Sequence, residues 1–267
     1  MSTCALDRRR FLTLCLALLL APPGRQRADA DVRTAGYDVD VGILYRIMSF
    51  ELAGTLTESV DPVAGRYLVV AAGRGSNIAN RVESRGERRG GRWAPVEASS
   101  WFEVAGRQSR TELRYDYARR SVEYHYRGET FLLRRPRVAD DLVAIPDGMH
   151  LDDVISAVLN FAEGSWKPDG DGSYRTHIVR RRRPENEGPD DVQRFYRAEL
   201  IPFRMTLTKD PETSRPSALI DLAPFSSWAR AGEPARVIFG WDRRPVSIAC
   251  SLILGTSVSI RLKGAAS

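Results

Sequence analysis

Leu113-Arg114-Tyr115-Asp116-Tyr117 and Ser121-Val122-Glu123-Tyr124-His125-Tyr126, joined by Ala118-Arg119-Arg120, decide how this chain is read. In each half the apolar residues fall at every second position with charges between them, the period of a strand with one buried face. The polar tripeptide reads as a turn, so the stretch is a β-hairpin whose inner face carries Tyr115, Tyr117, Tyr124 and Tyr126. The same alternation runs through 37–45, 50–57, 67–72 and 101–104, interrupted by Asp61-Pro62 and Gly90-Gly91. Hairpins in succession build an antiparallel meander, not a βαβ sheet.

One segment breaks that period. Leu151, Val154, Ile155, Val158, Leu159 and Ala162 recur at helical spacing, which predicts a helix over 151–163 with Asp152 and Asp153 in its first turn and Gly164 closing it. Strand-like runs resume at 174–180, 194–200, 235–239, 246–254 and 258–262. Charged, proline-bearing stretches at 181–191 and 210–216 read as solvent loops within one domain, because strands flank both. The expected fold is all-β with one main helix: a large curved antiparallel sheet or open barrel packed on a single α-helix. Ile155 and Leu159 would lie at the centre of the buried stripe.

With 267 residues, 43% hydrophobic, 28% charged and 3 cysteines, the chain is neither disordered nor a disulfide-built miniature, and 31–267 suits a single β-rich domain. Its formal charge of +6 does not mark a nucleic-acid surface. Arg8, Arg9, Arg10, Arg25 and Arg27, against Asp7 and Asp29, put half of the surplus near the N-terminus, and the remainder is dispersed.

Residues 1–30 have the layout of an export signal. Arg8-Arg9-Arg10 precedes Phe11-Leu12 and an apolar run from Leu14 to Ala21, and Ala28-Asp29-Ala30 offers small residues for cleavage before Asp31. The run is too short to cross a bilayer, so no transmembrane span is expected in the mature chain. Arg8, Arg9, Phe11 and Leu12 resemble the twin-arginine pattern, which implies export in a folded state; the general secretory route stays open. The expected location is periplasmic or secreted. Loss of Cys4 and Cys15 would leave Cys250 as a lone thiol on the face of Ile248 and Leu252, an inert buried side chain.

Four segments together resemble an exported bacterial family, domain of unknown function 3108. They are Tyr37-Asp38-Val39-Asp40-Val41-Gly42, the stretch 111–126, Asp152-Asp153-Val154-Ile155-Ser156-Ala157, and Phe239-Gly240-Trp241-Asp242-Arg243-Arg244-Pro245-Val246 followed by Leu254-Gly255. The resemblance implies an antiparallel β-rich envelope protein akin to the open barrels that carry lipoproteins. It implies no activity.

Catalytic signatures are sparse. His125, His150 and His177 are widely spaced and lack partners at ligand spacing, so neither a metal nor any other cofactor is expected. Asp169-Gly170-Asp171-Gly172 lacks the remaining ligands of a calcium loop and reads as a turn. There is no Gly-x-Ser-x-Gly elbow and no phosphate loop. Asp140-Asp141, Asp152-Asp153 and Asp190-Asp191 read as helix caps or solvated loop charges, and the run Arg180-Arg181-Arg182-Arg183 as balanced by the acids after it.

The expectation is a non-enzymatic carrier of a lipid-like or apolar small molecule, its cleft lined by Tyr115, Tyr117, Tyr124, Tyr126, Ile155 and Leu159. Two alternatives stand beside it. One is a structural protein that docks an envelope partner; the other is an envelope hydrolase, which would need His125 or His177 beside a carboxylate and a hydroxyl.

Overall fold

Alternation punctuated by turns becomes one antiparallel sheet. The computed structural model describes residues 31–43, 45, 48–104, 106–130, 133–182, 191–222, 232–252 and 256–263. The strands are β1 (Asp31–Ile43), β2 (Met48–Asp61), β3 (Arg66–Gly75), β4 (Ile78–Arg89), β5 (Arg92–Val104), β6 (Arg107–Asp116) and β7 (Ser121–Glu129). Then follow β8 (Pro136–Ala144), β9 (Ser173–Arg181), β10 (Ala198–Lys209), β11 (Pro216–Ile220), β12 (Ala235–Phe239), β13 (Pro245–Leu252) and β14 (Thr256–Leu262), with the helix α1 (Val154–Ala162) between β8 and β9. The 14-stranded order β8-β7-β6-β5-β4-β3-β2-β1-β14-β13-β12-β11-β10-β9 is a meander joined through β1 and β14. The sheet curls into a nearly closed barrel. Since neighbouring strands alternate in direction, the connections after even-numbered strands share one end of the barrel, and α1 lies at that end.

The barrel closes by overlap. Tyr174 and Ile178 of β9, with Phe203 and Met205 of β10, pack in the main core, while Val179, Ala198 and Leu200 on the opposite face of the same ribbon pack on Tyr115, Val122, Tyr124, Tyr126 and Ala139. The β6–β8 end therefore laps over β9 and β10. Asp141 of β8 fastens the lap by accepting the Ala198 backbone N–H at 2.7 Å and an Arg197 guanidinium N–H at 3.0 Å. A ribbon buried on both faces loses its clean alternation. The expected strand 194–200 is displaced: β10 starts at Ala198, where the lap leaves both faces half-buried, and runs to Lys209 with clean alternation from Ile201.

The helix is shorter than predicted. Leu151 forms an isolated parallel bridge to His177, and Asp153 is the N-cap, its side chain accepting from Ser156 N while its own N–H donates to Ser156 Oγ. Asp152 and Asp153 thus precede the helix. Gly164, at φ +67°, takes the left-handed conformation that ends it.

Aromatic side chains surround α1. Phe161 meets Phe239 at 4.9 Å and Tyr174 at 5.3 Å between ring centroids; Trp166 meets Tyr174 at 5.5 Å. Ile155 and Leu159 are buried in this core. Each truncation to Ala is expected to cost about 2–5 kcal/mol in urea-unfolding free energy. Losses below about 0.5 kcal/mol, the surface range, would show that α1 does not plug the barrel.

Candidate functional site

At the N-terminus of α1 a buried polar cluster ties three segments together. Asp152, with 0% exposure, accepts from Ser156 Oγ at 2.9 Å, Asn160 Nδ2 at 2.8 Å, Thr176 Oγ1 at 2.6 Å and Arg92 Nη2 at 2.8 Å. His150 Nε2 lies 3.3 Å from the same carboxylate. Asp152 is therefore not the first-turn helix charge expected from the sequence but the buried hub of this cluster. A carboxylate this deep needs a cation and several donors to offset desolvation, and it has both.

Asn160 continues the cluster. β6 pairs with β5 only from Glu97 onward, so the edge of β5 before it lacks a strand partner. Asn160 takes that place: it accepts the Trp93 N–H at 2.7 Å and donates to the Trp93 carbonyl at 2.8 Å. Tyr117 donates to the Pro95 carbonyl at 3.0 Å, and Trp93 Nε1 donates to Glu163 at 2.8 Å. The helix is thus stitched to the sheet where the ladder stops.

Asp153 accepts from Ser84 Oγ, and Ser84 is 2.9 Å from the Tyr67 hydroxyl. Burial pushes the Asp153 carboxyl up to about 6 from 3.8, against the opposing hydrogen bonds from Ser156 and Ser84. Burial likewise raises the Tyr67 and Tyr115 phenols well above their ordinary range. Between pH 3.8 and about 6 the folded chain holds the Asp153 proton that the unfolded chain has lost, so this group makes stability fall as pH rises through that window. Urea midpoints of the wild type and Asp153→Asn, compared from about pH 4 to about pH 7, should show the wild type losing stability relative to the variant. A constant difference would contradict the assignment.

The lumen beyond the helix carries a different arrangement. Tyr37, Gly54, Gly73, Asn80 and Phe102 are opposite one another on β1 to β5 and form a single row. A Cβ on Gly54 would sit 2.3 Å from Tyr37 Cζ, and one on Gly73 2.9 Å from the Tyr37 hydroxyl and 3.0 Å from Asn80 Oδ1. The Tyr37 ring therefore lies flat across two glycines and points at Asn80. Tyr37 and Asn80 are 0% and 2% exposed, yet the Tyr37 hydroxyl and both polar atoms of Asn80 lack a hydrogen-bond partner of ordinary geometry. Burial raises the Tyr37 phenol far above its usual range, and Asn80 is close enough to oppose this. The next row toward the far end is Ile248, Ile260, Val39 and Leu52, and beyond it lie Cys250, Val258 and Val41. Phe50 faces Val41 in that last row and is half-buried against the core, so the far half of the lumen is mainly aliphatic with one aromatic ring, where the plugged half is mainly aromatic.

Among solved structures, the chain is similar to the crystal structure of a beta-barrel-like protein of domain of unknown function DUF1849 from Brucella abortus. The TM-score is 0.40 at 10% identity, covering 87% of this chain and 95% of that one. No family model and no curated protein matches the sequence.

The residues expected to line one cleft fall into two clusters. Ile155 and Leu159 belong to the main core; Tyr115, Tyr124 and Tyr126, with the partly buried Tyr117, belong to the lap. Arg8, Arg9, Phe11, Leu12, Ala28 and Ala30 lie outside the described residues.

His125 and His150 have side-chain partners that the sequence hid. His125 Nδ1 is 2.6 Å from Asp140, which also accepts from Arg127 at 2.9 Å and 3.0 Å, a contact made across β7 and β8 on their outward face. Among the described residues no hydroxyl joins this pair. Arg180 is paired with Glu199, and Arg181 is buried with its guanidinium 4.3 Å from the Tyr196 ring centroid, so neither belongs to a solvated basic tip. Among the described residues no group of three or more His, Cys, Asp or Glu side chains is placed to hold a metal ion. No helix among them is long and apolar enough to cross a membrane.

Proposed function

We propose that the chain is an exported, non-enzymatic binding protein that carries a lipid-like or apolar small molecule in the far half of its barrel. The observation that carries this reading is the asymmetry of the lumen. One end is closed by α1, its aromatic surround and the Asp152 cluster; the other is lined mainly by aliphatic side chains, with Phe50 among them, around a few buried polar atoms without partners of ordinary geometry. Apolar walls with a few polar groups are the ordinary make-up of a small-molecule site. The export-like N-terminus and the resemblance to the exported family support an envelope setting. Titration with N-phenyl-1-naphthylamine, which fluoresces on entering an apolar site, should give saturable one-to-one binding. A signal that only rises linearly with protein would contradict the reading.

A second reading, docking of an envelope partner, draws on β8. This strand, the last in the sheet order, exposes Val138 and Leu142 on its outer face, and an exposed apolar patch is the kind of surface a partner covers. Replacing both by Lys would abolish such docking and leave naphthylamine binding unchanged.

A further inference from the structure

We propose that Tyr37 and Asn80 form the polar anchor of the lumen, and that they select a neutral head group which both donates and accepts hydrogen bonds, as in a long-chain alcohol or carboxamide. The inference rests on the reading that the lumen carries a ligand, and adds which end of the ligand is recognised and by what.

Three facts converge on this pair. First, the atoms involved offer complementary functions: Asn80 Nδ2 and the Tyr37 hydroxyl can donate, and Asn80 Oδ1 and the hydroxyl oxygen can accept. All three atoms are buried and none makes a hydrogen bond of ordinary geometry, although Asn80 lies close enough to act on the Tyr37 hydroxyl. Buried polar groups are nearly always paired, so three unpaired atoms on adjoining side chains mark a place where a guest supplies the partner. Second, the two glycines hold the geometry. Any larger residue at 54 would collide with the Tyr37 ring, and one at 73 would crowd both the hydroxyl and Asn80, so the sequence keeps this row open to Tyr37 at the expense of strand propensity. Third, the row is uncharged. From Leu262 through Tyr37, Gly54, Gly73 and Asn80 to Phe102 it holds no ionisable group except the phenol. A carboxylate or phosphate delivered here would have no cation to offset its desolvation, whereas an alcohol or amide needs only what Asn80 and Tyr37 provide. Asn80 lies four residues along β4 from Ser84, about 13 Å by strand rise, so the anchor is separate from the Asp152–Asp153 cluster.

Competition against N-phenyl-1-naphthylamine tests the anchor. Oleamide and oleyl alcohol should displace the dye from the wild type at concentrations about tenfold lower than oleate at pH 8, because oleate enters only with its charge. In Asn80→Leu and Tyr37→Phe, dye binding should persist while the preference for the neutral compounds shrinks to less than about threefold. Circular dichroism melts of both variants establish that they fold. If the wild type does not bind the dye, the lumen reading fails and the anchor with it. If the dye binds but oleate competes as well as oleamide, or the preference survives in both folded variants, the anchor is wrong and the lumen reading stands. The same holds if the double variant is more stable than the wild type without any change in preference, which would make the pair an ordered-water site only.

Discussion

Asp152→Ala is expected to lower the unfolding free energy by about 3–5 kcal/mol, the range for stripping one member from a buried, hydrogen-bonded ion pair. The loss is large because the donors from Arg92, Ser156, Asn160 and Thr176 converge on this one carboxylate. Truncation leaves the Arg92 charge without its counter-ion and Asn160 and Thr176 with buried unpaired donors. Asp152→Asn keeps the shape but turns one acceptor into a donor facing other donors, so it should also destabilise, by less. Urea unfolding gives both values. Hydrogen exchange should in addition show α1 amides opening well below the global free energy in Asp152→Ala, since the helix loses its ties to the sheet. Losses below about 0.5 kcal/mol in both variants would mean that the cluster does not hold the plug.

Breaking the Glu58–Arg244 pair should cost a similar amount, and its cycle of variants is more revealing. Arg244, in the turn between β12 and β13, donates to Glu58 of β2 through Nε at 3.1 Å and through Nη2, with both side chains under 10% exposed. The pair pins the β12–β13 turn over the plugged end, where the neighbouring Arg243 lies 5.7 Å from the Phe161 ring centroid. Glu58→Leu alone strands a guanidinium in the interior and should cost about 3–5 kcal/mol; Arg244→Met alone strands the carboxylate and should cost about as much. The double variant removes both charges, so its loss should fall well short of the two single losses added together. Additive losses would show that the two side chains do not interact in the folded chain.

Some of this architecture is plain in the sequence, and the reasons for the remainder are physical. The hairpin of β6 and β7 and the stripe of α1 are legible because each buries one face against a continuous apolar surface. β4 is not, because its inward positions include Asn80, Ser84 and Gly86, and these break the alternation. Asn80 faces Tyr37, Ser84 serves Asp153, and Gly86 lies under the Tyr67 ring, where a Cβ would stand 2.5 Å from Tyr67 Cε1. Polar and glycine residues were placed inside for tertiary reasons that no local window contains. The role of Asp152 as a hub was hidden for the same cause: its partners Arg92 and Thr176 come from distant strands. One local signal was available. Asp153 followed by Ser156 is the spacing of a capping box, which places the helix start after Asp153. A strand glycine opposite an aromatic residue, as Gly54 is to Tyr37, likewise points to a ring laid over bare backbone.

The most direct test of the central claim, that the lumen beyond the plug carries a molecule, is native mass spectrometry of the full chain released from its own cells without detergent. The account predicts a second species heavier than the bare polypeptide by the mass of a neutral amphiphile, lost on extraction with organic solvent and much reduced in Asn80→Leu. A spectrum holding only the bare polypeptide, from cells in which the protein is folded, would contradict it.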